Sequence, residues 1–243
     1  TICGLSPYKS PLQLWAEWTG KVSCEQADDR GFLEYGRIVE PLVRKRTAAA
    51  INSPLWAPDA MYRHALHEWA AATPDSFEGE PGQEPCGIWE HKTTTGRGSA
   101  LWEAGPPPMP VTQLQWQLGV CDIERGGISC IVGGDPEHLP LYRQEFDAGM
   151  FEALLALGDH FRGCVQRNIP PEPGPNDSKL IEAICKRQVG REIDLSADIA
   201  ALLPELRDKK AQKAEFEKAN RELEARIKEL QGRILLALDG ADT

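Results

Sequence analysis

The sequence predicts an α/β chain with a helical C-terminal extension, and three observations carry that expectation. Strand-like runs at 66–77, 86–94, 128–132 and 139–146 are interleaved with helical patterns at 12–19, 30–50 and 111–120, and with a further one after Asp147. A stiff Ile169-Pro-Pro-Glu-Pro-Gly-Pro175 stretch then interrupts the chain. Beyond it the composition shifts to charged helix. The expected organisation is a core domain over 1–172, a linker at 173–177 and an extension over 178–243.

The elements follow in order from their punctuation. Thr1–Pro11 reads as a Gly/Pro loop, and Ser10 with Pro11 forms an N-cap and N1 pair opening a helix that stops at Gly20. The helix from Arg30 to about Ala50 uses Phe32, Leu33, Ile38, Leu42 and Val43 as apolar positions, with Pro41 a kink or break. Residues 66–77 form a strand ending near Pro74, 78–85 an acidic turn, and 86–94 a strand that pairs with the first as a hairpin. A loop at 96–110 leads to a Gln-rich helix, 111–120. Glycines 126–127 and 133–134 read as turns, and Asp147 caps a long helix carrying Met150, Phe151, Leu154, Leu155, Leu157 and Phe161. In the extension, one or two small helices over 178–203 precede a helix over about 204–238. There Phe216, Leu223 and Leu230 share one heptad position and Ile227 and Ile234 the other, with Asn220 in the same seam. A coiled-coil role and a surface helix packed on its own domain are both open.

Composition narrows the function. Net charge is −10 with a pI near 5.1, which argues against a broad basic face that coats nucleic acid and leaves room for a local basic groove. No run approaches the roughly 18 apolar residues of a membrane span, so the expectation is no membrane partner and a cytoplasmic location, in a bacterium or phage-infected host. The seven cysteines are scattered without a C-x-x-C pair, which disfavours zinc ribbons and disulfide frameworks.

The chemistry concentrates in Thr73-Pro-Asp75 and Gly87-Ile-Trp-Glu90-His-Lys92-Thr. On a strand, Glu90 and Lys92 project to one face. If the preceding strand pairs with it, Asp75 arrives beside Glu90. Two converging carboxylates repel unless a cation lies between them, and hard oxygen ligands select Mg²⁺ or Mn²⁺. A neighbouring ammonium can position or help deprotonate a water and balance charge on a phosphoryl centre. The plainer alternative is a solvated ion pair. Glu40 stands on a helix beside Pro41. Gln113 and Gln117 share a helical face while Gln115 points away, and a surface polar stripe is the plain alternative there.

Taken together, Gly4-Leu-Ser-Pro-Tyr-Lys-Ser-Pro-Leu-Gln-Leu-Trp15, Gly36-x-x-x-Glu40-Pro41, Thr73-Pro-Asp75, Glu90-x-Lys92-Thr-Thr and Gln113-x-Gln115-x-Gln117 resemble the YqaJ-type viral recombinase family of lambda-exonuclease-like alkaline nucleases, over about residues 1–172. The resemblance implies a PD-(D/E)XK core, a central mixed sheet flanked by helices. It implies a Mg²⁺-dependent exonuclease that degrades one strand of linear duplex DNA, 5′ to 3′, and exposes a 3′ overhang for a single-strand annealing protein. A ring-shaped homotrimer acting on double-stranded DNA ends is implied as well. Residue by residue, it makes Asp75, Glu90 and the main-chain carbonyl of His91 ligands of one or two Mg²⁺ (or Mn²⁺) ions, with Glu40 near the second. Lys92 becomes the water-activating residue and Gln113 its holder. Ser6, Tyr8 and Lys9 fall in a loop near the DNA path.

Three departures stand out. Ser76 replaces the family's Gly, and His91 replaces an aliphatic residue. The family's Gly-Gly-Ser-Asp segment would precede residue 1, which implies that the N-terminal edge is truncated here and that part of the 5′-phosphate pocket is missing or lies upstream. The competing readings are an endonuclease on the same core and a catalytically silent DNA-binding or assembly module. Other sites are weaker. His64 and His67 lack further zinc ligands at useful spacing. Trp102 and Trp116 read as core before base-stacking platforms. Arg37, Arg44, Lys45 and Arg46 form a basic stretch on a helix; DNA-phosphate contact, with Arg37 the candidate, and a solvated face are both open.

Overall fold

The computed structural model describes residues 1–6, 8–23, 30–185 and 192–238. The chain divides into two compact units, Thr1–Arg187 and Gln188–Thr243.

In the first unit, helix α1 (Pro11–Trp18) starts where expected: the Ser10 side chain accepts from the Gln13 N–H at 3.0 Å, with Pro11 opening the first turn. Helix α2 (Arg30–Ile51) contains Pro41, whose missing N–H removes a single helical hydrogen bond without ending the helix. Val43 and Thr47 are buried on α2, whereas Ile38 and Leu42, expected in the core, are exposed. Phe32 and Leu33 have side chains outside the described set.

Five strands form one sheet in the order β1-β4-β5-β6-β7: β1 (Leu55–Trp56), β4 (Ser76–Glu78), β5 (Gly87–Thr93), β6 (Arg125–Ile131) and β7 (Leu141–Glu145). Only β5 and β6 run parallel, so the sheet is mixed. Their crossover carries a 3-10 helix (Gly96–Trp102), in the segment expected to be loop, and then α3 (Pro108–Cys121). A separate hairpin joins β2 (Tyr62–Arg63) to β3 (Ala71–Ala72).

The continuous strand expected over 66–77 is therefore two short ones with a turn before them. His64 Nδ1 accepts from the N–H groups of both Leu66 and His67 and holds that turn, leaving Leu66 exposed. Glu78, expected in the following turn, still belongs to β4. Glycines 126 and 127 lie inside β6, contrary to the turn reading. A Cβ on Gly126 would come within 2.5 Å of the Ile88 carbonyl, and one on Gly127 within 2.5 Å of the Trp89 ring. Gly133 and Gly134 do form a turn, both at positive φ.

The two faces of β5 meet different helices. Ile88 packs with Phe77, Leu114, Leu118 and Ile128 under α3. Trp89 and His91 face the other way, His91 toward residues that touch Arg44 of α2. Helix α4 (Ala148–Gln166), capped by the Asp147 carboxylate on the Met150 N–H, buries Phe151, Leu154 and Phe161; Met150 and Leu157 stay exposed. Trp15 donates its indole N–H to the Cys164 carbonyl and ties α1 to α4. Leu180, Ile181 and Ile184 of α5 (Ser178–Ile184) pack on the same cluster, so this helix past the proline stretch lies within the first unit.

Beside Trp89, buried Glu78 accepts from the Trp89 indole at 2.9 Å and from Arg143 at 2.7 Å, with Arg143 stacked over the Trp89 ring. Burial pushes the Glu78 carboxyl up, but the hydrogen bonds from Arg143 and Trp89 and the charges of Arg143 and Arg125 outweigh it and hold it below its ordinary 4.5. A carboxylate with a depressed folded pKa contributes stability in full above its unfolded pKa and loses it as pH falls through the folded value. Glu78→Gln should therefore flatten the acid side of the stability curve below about pH 4.5 in urea titrations. An unchanged slope would show that Glu78 carries no such linkage.

The second unit is dominated by α6 (Ala197–Leu238), which begins before the expected 204 and runs through Pro204. None of the described helices is long and apolar enough to cross a membrane.

Candidate active site

Proline 74 determines where the site forms. β4 pairs antiparallel with β5, Ser76 opposite Trp89 and Phe77 opposite Ile88. Carrying that register back sets Asp75 opposite Glu90 and Pro74 opposite His91. Proline has no N–H to give a ladder, so the pairing stops there. The Asp75 carboxylate steps in instead, accepting from the His91 N–H at 2.8 Å. A residue's N–H and C=O leave an antiparallel strand on the same side. The His91 carbonyl thus points into the same gap as Asp75, opposite a residue that cannot donate to it.

On the α3 face, Glu90 is fully buried. One of its oxygens takes the Lys92 ammonium and the other accepts from Gln117 Nε2 at 2.7 Å. Lys92 also donates to Gln113 Oε1 at 3.1 Å. Burial pushes Glu90 up to about 7; Lys92 pulls it down and Asp75 raises it again. Burial alone would depress Lys92, but attraction to Glu90 and Asp75 outweighs it and the ammonium is strengthened. Glu40 is raised by burial and by the Asp75 charge, against the pull of Arg44.

A buried hydrogen-bonded chain lies behind this group. The His91 ring bonds Ser129 Oγ at 2.7 Å and Ser76 Oγ at 2.8 Å. Ser76 accepts from Arg44 Nε at 2.8 Å, and Arg44 donates on to Glu40 at 2.6 Å and to the Asp75 carbonyl at 3.3 Å. Burial, helped by the charges of Arg44 and Lys92, holds His91 down at about 3, so the ring is neutral near pH 7. The two departures noted above, Ser76 and His91, are thus partners of each other.

The structure brings together Glu40, Asp75, Glu90, His91, Lys92 and Gln113. It draws in neither the N-terminal loop nor Arg37: among the described residues Lys9 pairs with Glu17, Ser6 accepts from the Tyr8 N–H, and Tyr8 and Arg37 are exposed. The glutamines are not a surface stripe. Gln115 points away from the site as expected, and fastens the β7–α4 junction by bonding the Glu145 carbonyl and the Asp147 N–H. Residue-level reading left Gln117, Ser129 and the bridging role of Arg44 out of the site. The i,i+4 spacings Gln113–Gln117 and Glu40–Arg44 were the available signals. Trp102 is core, and the Trp116 indole bonds the Ala71 carbonyl. Cys121 and Cys130 are pushed up to about 12 by burial, which leaves them poor nucleophiles.

The family model for the YqaJ-like viral recombinase domain matches residues 1–124. The chain belongs to the YqaJ-like viral recombinase family. Within that family it is similar to the uncharacterized protein YqaJ of Bacillus subtilis (strain 168), at 27% identity over 138 residues, 55% of this chain. The match spans 41% of that relative's length. Among solved structures, the alkaline exonuclease LHK-Exo from Laribacter hongkongensis has the same fold: TM-score 0.54 at 14% identity, covering 69% of this chain and 86% of that one. The YqaJ-type core therefore has the central mixed sheet and flanking helices that its motifs implied.

The donor set suits a hard divalent cation. Asp75, Glu90 and the His91 carbonyl offer oxygen only, and Mg²⁺ is commonly held by one or two carboxylates with water and substrate phosphate completing its shell. No three acidic, His or Cys side chains among the described residues enclose an ion as they stand. Lys92 instead supplies the positive charge on Glu90.

Proposed function

We propose that this chain is a divalent-metal-dependent phosphodiesterase acting on the ends of linear duplex DNA. The observation that carries the reading is the convergence of Asp75 and Glu90 at the strand break, where the register sets the His91 carbonyl opposite Pro74, with Lys92 on the same face as Glu90. Asp75, Glu90 and the His91 carbonyl would hold Mg²⁺ or Mn²⁺, and Glu40 a second ion. When bound, the ion neutralises charge on the scissile phosphate and the leaving oxygen.

The chain's own groups supply the rest. Gln113 fixes the Lys92 ammonium through its side-chain oxygen, so the positive charge lies where a water can be oriented against the phosphorus. In-line attack forms a new P–O bond to water and breaks the bond to the 3′-oxygen, which leaves as a hydroxyl. Gln117 holds the second Glu90 oxygen, and Arg44 holds Glu40 through its guanidinium. Exonuclease action is supported by the likeness to a protein described as an alkaline exonuclease, and the duplex substrate and the direction rest on the family resemblance alone. One strand is removed 5′ to 3′, leaving a 3′ overhang for a single-strand annealing protein.

Incubating the chain with 5′-phosphorylated linear duplex and with covalently closed circles tests this directly. Mg²⁺-dependent shortening of one strand of the linear form, abolished by EDTA, is expected, with the circle untouched. Nicking of the circle would favour an endonuclease, and no Mg²⁺-dependent loss of either would favour a silent binding module.

A further inference from the structure

The 42-residue helix α6 buries almost none of its side chains within its own unit. Phe216, Leu223, Ile227, Leu230 and Ile234 are all exposed, from 42% to 76%. Their spacing is regular. With Asn220, Ile227 and Ile234 at heptad position a, Phe216, Leu223 and Leu230 fall at d; Leu206 is an a position further back. Pro204 weakens the helix before that point, and Lys209 and Lys213 soften the first part of the seam. The continuous stretch is therefore Phe216–Ile234.

We infer that α6 pairs with α6 of a second copy of this chain as a parallel, in-register, two-stranded coiled coil. Three features select that occupant. Isoleucine at a with leucine at d favours two strands over three. A single asparagine at a is satisfied when it meets the same asparagine of a partner, which requires parallel strands in register. In an antiparallel pair it would face an apolar d residue and leave a buried amide unpaired.

The flanking charges agree. In an antiparallel pair e faces e and g faces g; the e positions here are Glu217, Glu224 and Gln231 and the g positions Ala219, Arg226 and Arg233, so each flank would gather like charge. In the parallel pair g faces the e position of the partner's next heptad. Over Phe216–Ile234 the facing pairs are then Ala219 with Glu224 and Arg226 with Gln231, so no like charges are opposed. Within one helix Asn220 donates to Glu224, and Arg226 and Arg233 pair with Glu229.

Light scattering on the full chain tests this. Where the double variant Ile227→Glu/Leu230→Glu is a monomer or a trimer, an odd number of α6 helices must pair outside it and the native chain should have twice its mass; where it is even-numbered, the Asn220→Cys cross-link decides. Against an odd-numbered variant, equal masses, as for a helix packed on its own chain, or a threefold ratio would overturn the proposal. Asn220→Cys supplies an independent readout: mild oxidation should yield a covalent dimer above the background of the native cysteines. Absence of that cross-link, whatever the mass ratio, would overturn the parallel in-register arrangement.

Discussion

Lys92→Ala should retain duplex binding and lose cleavage by about 10²–10³-fold, the range expected when one preorganised charged donor that orients the attacking water is removed. The ammonium is anchored twice, on Glu90 and on Gln113, so its position is set before substrate arrives. Arginine should not rescue it: a planar guanidinium cannot replace a compact point charge on the short path between strand and glutamine. Single-turnover digestion alongside a binding titration separates the effects. Near-normal digestion by Lys92→Ala would remove the lysine from the mechanism, and loss of binding in proportion to rate would make it a substrate contact only.

Glu90→Gln should abolish cleavage while leaving the metal-free protein as stable as the native chain or more so. The carboxylate is fully buried, faces the Asp75 charge, and is raised to about 7 even with an ammonium on it. Its surroundings therefore disfavour the charged form, and a neutral amide of the same shape removes that cost. Removing one partner of a buried pair ordinarily destabilises because the other charge is stranded. Here Lys92 is about a quarter exposed and keeps the attraction of Asp75, so relief at Glu90 wins. Thermal unfolding in EDTA and again with Mn²⁺ measures both halves. The native chain should gain stability from the ion and the variant should not. A large loss of Tm in EDTA would instead make Glu90 a structural residue.

Much of this was legible because the motif is local. Period-two spacing placed Glu90 and Lys92 on one face, and Pro74 followed by Asp75 marked a strand break beside them. The Ser10 and Asp147 caps were readable for the same reason, since a cap is a contact within one turn. What failed depended on partners distant in sequence. Gly126 and Gly127 resemble a turn until Ile88 and Trp89 lie against them. Ile38 and Leu42 sit on a helix whose outward face the pattern could not assign. Gln117 and Arg44 became interpretable only when β5 and Ser76 were set opposite them. Ser129 bonds a histidine 38 residues away, which no periodicity reports.

The central claim is that one divalent ion belongs at the gap left where β4 stops pairing with β5. Crystals grown with Mn²⁺ and measured for anomalous scattering near the manganese edge address it most directly. The account predicts a peak bounded by the Asp75 and Glu90 carboxylates and the His91 carbonyl, with the Lys92 ammonium displaced from direct contact with Glu90. A map in which manganese avoids this gap, while Lys92 remains seated on Glu90, would contradict it.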